Sequence, residues 1–373
     1  MTILAGIRVV EIGQVLAGPF AGAILADLDA EVVKVEKPGG GDDARNMGLA
    51  FRHGDSLTFH EVNRGKSSVV LDLRQADGVA ALHALLNDAD ILVHNMRPGV
   101  PEQLGIDPEA VTARHPRLIY CAMSAFGHVG PLSMRPGYEP LLQAFAGLCS
   151  INGAPEGPMA RIGASVVDLG TGMWTVIGAL AALQRRERTG RGGVVNTSLF
   201  ETALTWAGQR FNAYVNEGRI PERSATGHAN LVPYQAFETA DAPLMICCGN
   251  DRLFARLAEA LGRPDWATDP RFASNRGRLA NRTEMVAQIG AALAAAPRAE
   301  WMAKLTAAAI PNGPMNTIAE VAAEAQTAAI GLLQKVPGED FSLLGLPISF
   351  DGERPAIRAG APRLGVAPAA STA

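Results

Sequence analysis

The first 122 residues alternate β-branched runs with helical segments rich in small residues, and this alternation restricts the possible folds more than any other feature. Strands are predicted at 7–12, 31–35, 68–73, 91–94 and 118–122, and helices at 17–28 and 78–86. Strands separated by helices of this length form βαβ units with a parallel sheet, and ligands bind at the carboxyl ends of such strands. The pattern predicts an α/β, Rossmann-like domain.

The chain of 373 residues is longer than a single core usually extends. A polar stretch from about 208 to 232 is predicted to be irregular, as a linker or mobile loop. A smaller unit follows it, with a strand at 244–247, helices near 253–261, 284–295, 298–308 and 317–329, and a strand-like run at 343–350.

Charge and cysteine usage exclude several function classes. A formal charge of −4 and 5% aromatic residues suit neither a nucleic-acid surface nor a base-stacking platform. The four cysteines lack zinc-ligand spacing, so no metal site is expected. We find no leader and no apolar run of about 18 residues, and expect no membrane partner and a cytoplasmic location.

Nucleotide motifs are incomplete. Gly65-Lys66-Ser67 resembles the end of a phosphate-binding P-loop, but His60 stands where that motif needs its first glycine, so ATP binding is rejected. The first βα turn is rich in glycine without the dinucleotide spacing, although Glu36 lies where a ribose-binding acid would fall. A nicotinamide dehydrogenase therefore stays open as an alternative. Signatures of serine hydrolases and zinc proteases are absent from the sequence.

Asp168 is the sharpest candidate for catalysis. It stands in Ala-Ser-Val-Val-Asp-Leu-Gly-Thr-Gly (164–172), interpreted as a strand-to-helix junction with two glycines that free the backbone. A carboxylate there either caps the helix or serves chemistry. Cations near strand ends, of which Arg97 is the clearest, suit a ligand that carries phosphate; they are Lys37, Arg45, Arg64, Lys66, Arg74 and Arg97.

Eleven motifs recur in the order found in one known family. Examples are Glu-Lys-Pro at 36–38, Asn-Met-Arg-Pro-Gly at 95–99 and Asp-Leu-Gly-Thr-Gly at 168–172. The others are 6–13, 17–19, 71–73, 138–139, 189–192, 198–201, 233–237 and 311–317. Up to about residue 320 the chain resembles the class III (formyl-CoA transferase-like, or CaiB/BaiF) coenzyme A-transferases.

This resemblance implies an architecture. A large Rossmann-like CoA-binding domain spans 1–205 and is completed by about 325–373. Residues 206–227 form a linker, and 228–324 form a small α+β domain. The family implies an interlocked homodimer that takes acyl-CoA and a small carboxylic acid as substrates, with no permanently bound cofactor.

The resemblance also assigns site residues. The catalytic aspartate falls on Asp168, and the pair beside the thioester falls on Tyr138 and Glu139. The CoA site maps onto Gln14, Leu16, Ala17, Lys37, Leu71, Leu73, Arg74, Asn95, Met96 and Arg97. The loop over the active site corresponds to Gly227, His228 and Asn230.

Two departures from family patterns bear on the reaction. Formyl-CoA transferases carry glutamine where this chain has Leu16, which disfavours an oxalate/formate pair. The α-methylacyl-CoA racemases, which share the fold, place His-Asp where this chain has Tyr138-Glu139. Racemisation needs a second acid or base, and a tyrosine with a pKa of about 10 serves poorly at neutral pH. Transferase is favoured, with a racemase-like epimerase and a catalytically silent CoA-binding protein as alternatives.

The expected mechanism begins from an aspartate of ordinary pKa, about 3.9, ionised at pH 7. Asp168 attacks the acyl-CoA carbonyl to give a mixed anhydride, and the thiolate then gives an aspartyl-CoA thioester. Amides near 170–172 or in the Gly227 loop are expected to hold the oxyanion, with help from Tyr138. Arg161 is predicted to clamp the distal carboxylate of a short dicarboxylate.

Overall fold

The chain forms two compact units in this computed structural model, which describes residues 3–365. The first unit contains the residues up to Leu148, Arg161–Asn212, and the residues from Ala325 onward. The second unit contains Cys149–Ala160 and Ala213–Glu324. In sequence, the second unit is therefore inserted into the first at two places.

The strands, in chain order, are β1 (Arg8–Ile12), β2 (Glu31–Glu36), β3 (Phe51–Arg52), β4 (Asp55–Ser56), β5 (Ser67–Val70), β6 (Ile91–His94), β7 (Ile119–Ser124), β8 (Gly193–Ser198), β9 (Tyr234–Phe237), β10 (Leu244–Cys247), β11 (Asn312–Pro314), β12 (Leu333–Lys335) and β13 (Ser342–Leu344). The helices are α1 (Ala17–Asp27), α2 (Leu57–Asn63), α3 (Ala76–Asn87), α4 (Val100–Gln103), α5 (Pro108–Arg114), α6 (Glu139–Phe145), α7 (Leu148–Ile151), α8 (Val166–Thr189), α9 (Leu199–Trp206), α10 (Gly208–Glu217), α11 (Asp251–Ala260), α12 (Asn275–Ala280), α13 (Arg282–Leu293), α14 (Arg298–Ala307), α15 (Ile318–Ala323) and α16 (Ala325–Ala329).

A six-stranded parallel sheet in the order β5-β2-β1-β6-β7-β8 organises the first unit. The chain builds outward from β1 through β2 to β5, then returns to place β6, β7 and β8 on the other side. The strand order thus reverses between β1 and β6. Ligands of open α/β sheets bind beside such a reversal, at the carboxyl ends of the strands. The predicted α/β, Rossmann-like fold is confirmed.

Helices cover both faces of this sheet because successive strand side chains point to opposite sides. On one face, Val9 and Val93 pack with Leu25 of α1 and Val176 of α8. On the other face, Val10, Leu92 and Tyr120 pack with Leu82 and Leu86 of α3. Near-continuous apolar strands follow from this double coverage.

Helix α8 is the one helix among the described residues that is both long and apolar on average, although Asp168 and two threonines interrupt its apolar sequence. Its 24 residues are long and apolar enough to cross a membrane by length and composition, and half of the apolar window is buried within the protein. Val176, Ala179 and Ala182 of this helix belong to the core shared with α1. Core packing accounts for this buried side of α8.

Residues 359–365 lie along the outer strand of the sheet. The N–H of Gly365 donates to Ser68 Oγ at 3.1 Å, and the N–H of Gly65 donates to the carbonyl of Ala359 at 3.1 Å. Arg45 Nη2 donates to the carbonyl of Pro362 at 3.1 Å. Residues far apart in sequence therefore complete the edge of the first unit.

The second unit is an antiparallel sheet with the order β11-β10-β9, covered by helices. Phe254, Trp266, Phe272, Met285 and Ile289 belong to its buried core. This arrangement confirms the smaller α+β part of the predicted fold.

The clearest errors in the extent of predicted elements lie beyond residue 200. Residues 208–217 form α10, because the polar composition hid a helical spacing of Phe211, Tyr214 and Val215. The helix predicted at 317–329 breaks at Glu324, whose ψ of 135° is extended. The run predicted at 343–350 is a strand only over Ser342–Leu344.

Candidate active site

A cavity of about 810 Å³ opens at the carboxyl ends of the parallel strands, within the size range of ligand pockets. Its walls come from the segments that follow β1, β2, β5, β6 and β7, together with the start of α6 and the first turn of α8. Lining residues include Gln14, Leu16, Ala17, Lys37, Leu71, Leu73, Arg74, Asn95, Met96, Arg97, Tyr138, Glu139 and Asp168. The residues assigned to CoA and the three assigned to catalysis therefore meet in one cavity.

Asp168 lies inside the first turn of α8, not at a strand end and not at the helix cap. The N-cap is Ser165, whose side chain makes no capping hydrogen bond, and Val166 and Val167 are already helical. Sequence reasoning took these two valines as a strand because they are β-branched. In the structure the turn presents the Asp168 carboxyl to the cavity.

The pKa of Asp168 departs from the expected ordinary value. Desolvation by burial, followed by the charge of Glu139, raises the pKa of Asp168 to about 7. The expectation of a fully ionised aspartate at pH 7 is thus wrong, because the sequence does not show burial. Perturbed carboxyl groups in a cleft are typical of functional sites.

Glu139 is buried and only partly hydrogen-bonded. Its Oε1 accepts from Gln143 Nε2 at 2.7 Å and from the N–H of Val167 at 3.4 Å. Its Oε2 is buried without a hydrogen-bond partner among the residues that the structure describes. Tyr138, the N-cap residue of α6, is 67% exposed. The start of α6 thus contributes an acid and a phenol to the cavity that Asp168 also lines.

Gly170 and Gly172 serve close packing and do not free the backbone. Both lie within α8, where their amides belong to the helix ladder. A Cβ on Gly170 would lie 2.7 Å from Cζ2 of Trp206, and one on Gly172 would lie 2.9 Å from the carbonyl oxygen of Ala17. The expected oxyanion site at 170–172 is therefore wrong, since helical amides at these positions are already engaged.

The loops after β1 and β6 are bonded to each other at the strand reversal. Asn95 Oδ1 accepts from the N–H of Gln14 at 2.9 Å, and Asn95 Nδ2 donates to the carbonyl of Gln14 at 2.8 Å. Both residues line the cavity. The family resemblance assigned both residues to CoA binding, and in this structure their mutual hydrogen bonds fix the shape of the turn.

His94 sets the direction of the next residues. Burial lowers the pKa of His94 to about 4, so the ring is neutral at pH 7. Tyr120 Oη donates to the carbonyl of Ile106 at 2.9 Å, so His94 Nε2 donates to that hydroxyl at 2.8 Å. His94 Nδ1 then accepts from the N–H of Met96 at 3.3 Å. This single tautomer holds the turn that carries Met96 and Arg97.

Three cations line the cavity among the described residues. Lys37 Nζ lies 2.5 Å from Asp43, and Arg74 is paired with Asp72 at 2.8 Å. Arg97 has no ion-pair partner in the part of the chain that the structure describes. Leu71, Leu73 and Met96 add apolar surface that rests on the core beneath α3. Cations around an apolar floor suit a phosphorylated ligand with an uncharged arm.

Comparison with known proteins decides the family. The sequence profile of CoA-transferase family III matches residues 4–367. The chain belongs to CoA-transferase family III. The enzyme is 39% identical to an acetyl-CoA:oxalate CoA-transferase of Acetobacter aceti, over 96% of this chain and 92% of that protein. It is 36% identical to a succinate–glutarate CoA-transferase of Agrobacterium fabrum, over 91% and 87%.

Solved structures agree with this assignment. A CaiB/BaiF family protein from Brucella suis superposes on the transferase with a TM-score of 0.86 at 35% identity, over 98% of this chain and 97% of that one. A protein from Mycobacterium tuberculosis gives 0.88 at 32%, over 98% of both chains. The predicted family, fold class and enzyme class are confirmed, and CoA is a substrate of the transferase.

The remaining predicted residues do not line this cavity. Gly227, His228 and Asn230 belong to the second unit. There the N–H groups of Gly227, His228 and Asn230 donate to Ser224, Tyr234 and His228. Arg161 is exposed, and its Nη1 lies 3.5 Å from the carbonyl of Ile162.

Sequence reasoning missed other groups of the transferase cavity. Asp43 pairs with Lys37, and Met123, Ala125, Leu141 and Leu199 form part of the apolar wall of the cavity. The position of Asp43 soon after the Glu-Lys-Pro motif was a usable indication, because a carboxylate there can pair with the motif lysine. The apolar residues gave no such indication, since strand ends and core helices share their composition.

Proposed function

We propose that this CoA-transferase moves CoA between an acyl-CoA and a short dicarboxylic acid, with Asp168 as the covalent carrier. The observation that carries the proposal is the placement of the Asp168 carboxyl in a cavity with three cations and the Tyr138-Glu139 pair. The cations suit the phosphates of CoA, and the apolar wall suits its uncharged arm. The Asp168 carboxyl then remains as the group that reacts with the thioester.

The first half-reaction transfers the acyl group and then CoA. An Asp168 oxygen attacks the thioester carbon, the carbon–sulfur bond breaks, and CoA leaves as a thiolate from a mixed anhydride. The thiolate attacks the aspartyl carbonyl, the anhydride bond breaks, and the donor acid leaves as a carboxylate. Asp168 then carries CoA as a thioester.

The second half-reaction repeats these steps with an incoming carboxylate. The acceptor attacks the Asp168 thioester and releases the thiolate, which attacks the acyl carbon of the new anhydride and restores the Asp168 carboxylate. One thioester is exchanged for another, so no ATP, water or net proton is consumed. Asp168 must be deprotonated at the start, which its pKa of about 7 makes dependent on pH.

The substrate class rests on named relatives. One is an acetyl-CoA:oxalate CoA-transferase, 39% identical to this chain, and the other is a succinate–glutarate CoA-transferase, 36% identical. The oxalate enzyme makes oxalate a candidate again, against the argument from Leu16. Arg161, seven residues before Asp168, remains the proposed clamp for the distal carboxylate.

The proposal includes a cytoplasmic homodimer, interlocked as the family resemblance implies. Met173, Trp174 and Ile177 of α8 and the nearby Trp206 are 39–52% exposed, and Trp174 and Trp206 lie with ring centroids 6.1 Å apart. Clusters of exposed large apolar groups mark interaction surfaces. Light scattering coupled to size exclusion measures the mass directly.

Covalent trapping tests the chemistry. The protein is mixed with several acyl-CoAs, treated with hydroxylamine or borohydride, and analysed by peptide mass spectrometry beside an Asp168→Asn variant. Modification confined to the Asp168 peptide, absent from the variant, supports the carrier role. Exchange of deuterium at the acyl α-carbon without an adduct favours the racemase alternative. CoA binding with neither result identifies a silent binding protein.

A further inference from the structure

The turn after β1 is held in a conformation that its residue type disfavours. Val15 has a φ of +67°, in the left-handed region that β-branched residues rarely occupy. Its N–H donates to Asp42 Oδ1 at 3.0 Å. Because Gln14, Val15, Leu16 and Ala17 all line the cavity, the strained residue is part of its wall. Such strain persists only where the surroundings enforce it.

A fully buried ion pair enforces it here. Lys34 Nζ lies 2.9 Å from Asp42 Oδ2 and donates to Glu11 Oε1 at 2.9 Å and to the carbonyl of Gly13 at 2.8 Å. Lys34, Glu11 and the side chain of Asp42 are all at most 1% exposed. The turn is thus held at Gly13 by Lys34 and at Val15 by Asp42.

The same cluster also reaches the start of α1. Lys66 Nζ donates to Glu11 Oε2 at 2.5 Å, to the carbonyl of Pro19 at 2.7 Å and to Asn63 Oδ1 at 2.9 Å. A Cβ on Gly13 would lie 2.8 Å from Glu11 Oε1, and one on Gly22 would lie 2.6 Å from Glu11 Oε2. Glycine at these two positions lets the charged groups lie directly against the backbone.

We propose that Asp42 and Lys34 are positioning residues for acyl-CoA: they hold the turn at 13–17 in the strained conformation that forms the cavity wall. Neither side chain lines the cavity among the described residues, so each acts through the backbone. The inference rests on the proposed binding of CoA in this cavity. On this inference, binding of acyl-CoA requires two residues that do not line the cavity, in addition to those that do.

The test compares Asp42→Ala with Asp27→Ala. Asp27 is a buried carboxylate paired with Arg64 at 2.6 Å, and it lies outside the cavity wall. Both variants lose a buried ion pair and are expected to lower the melting temperature. Only Asp42→Ala is expected to raise KM for acyl-CoA, by about 10-fold or more, while kcat changes less than about 3-fold.

A second substitution separates positioning from general stability. Glycine adopts a positive φ without strain, so Val15→Gly in the Asp42→Ala background is expected to recover about 3-fold or more of the lost affinity. Asp42→Asn keeps an oxygen for the Val15 N–H and is expected to give a smaller rise in KM than Asp42→Ala. If Asp42→Ala does not fold, Asp42→Asn is compared with Asp27→Asn, with and without Val15→Gly.

The outcomes are distinct. A KM for either Asp42 variant that matches its Asp27 counterpart, or an absence of recovery with Val15→Gly, overturns the positioning role. Calorimetry of CoA binding to Lys37→Gln and Arg97→Gln tests the cavity assignment separately. If these two variants bind CoA as the parent does, the proposed CoA site fails. If they bind weakly while Asp42 behaves like Asp27, only the positioning role fails.

Discussion

Glu139 and Asp168 are coupled through both charge and backbone. Desolvation by burial and then the charge of Glu139 raise the pKa of Asp168, and Glu139 Oε1 accepts from the N–H of Val167, the residue before Asp168. The group that perturbs Asp168 therefore also holds the helical turn that carries it.

The pH dependence of kcat/KM follows from this pair. Because Asp168 must be ionised to attack, kcat/KM is expected to rise with pH and to level off above about 7. Glu139→Gln removes a negative charge and is therefore expected to move the rise in kcat/KM toward lower pH. The move is partial, because desolvation by burial still raises the pKa of Asp168. Rates from pH 5 to 9 measure this, with the exposed Glu156→Gln as control. A rise at the same pH in Glu139→Gln contradicts the coupling.

Stability should respond to the same carboxyl. The pKa of Asp168 is raised in the folded state, so the native protein binds more protons than the unfolded chain between about pH 4 and 7, and wild-type stability falls across that window. Asp168→Asn cannot titrate. Its free energy of unfolding should nearly match wild type near pH 4 and exceed it by an amount on the order of 4 kcal/mol at pH 8. Urea unfolding at both pH values checks the sign, and an equal difference at both would argue against it.

Gly172→Ala should destabilise the fold and the site together. Its Cβ would lie 2.9 Å from the Ala17 carbonyl, so α8 must move away from α1. We expect a loss of about 1–3 kcal/mol, with reduced kcat because both helices carry cavity residues. The control is Gly290→Ala in α13, where nothing lies within 4 Å, and a gain of about 0.5–1 kcal/mol is expected. Thermal melts that show the same sign for both variants refute the packing argument.

The cavity cations should bind CoA in a salt-dependent way. Arg97→Gln and Lys37→Gln are each expected to lower the affinity for CoA by about 3- to 10-fold at low ionic strength, and by less at high salt. Lys335→Gln, on the exposed strand β12, serves as the matched control. Calorimetric titrations at two salt concentrations measure the change in the Kd for CoA. If the charges acted only at long range, this change would be equal for Arg97→Gln, Lys37→Gln and Lys335→Gln.

Arg161 should act on the acceptor alone. If its guanidinium holds a distal carboxylate, Arg161→Ala raises KM for a dicarboxylate by about 10-fold and leaves KM for a monocarboxylate of similar length unchanged. Arg191→Ala, on an exposed turn, is the control. An equal effect on both acids, or none on either, removes Arg161 from the acceptor site.

The sequence predicted the sheet well because β-branched and other apolar residues dominate its central strands, although β1 and β2 also carry the buried charges of Glu11 and Lys34. The bounds of β6 were predicted correctly, and α1 ended one residue earlier than predicted. The strand at 68–73 was predicted too long, since Leu71 and Leu73 are apolar but leave the sheet to line the cavity. Hydrophobicity alone does not distinguish a strand residue from a ligand contact.

The local sequence also could not show the raised pKa of Asp168. Its pKa depends on burial and on Glu139, which is 29 residues away in the chain. The anchoring of Val15 by Asp42 is equally non-local, because a positive φ at valine contradicts its intrinsic preference. The family motifs located the site, whereas its electrostatics required the three-dimensional arrangement.

The contacts of residues 359–365 with the edge of β5 have a consequence for how the protein is made. Ribosomes deliver the chain from its amino end, and domains usually fold as they emerge. Here the large sheet receives its last edge contacts only after the entire inserted unit has been synthesised. The edge of β5 in the nascent large unit therefore stays open until residues 359–365 have been synthesised and can bind it.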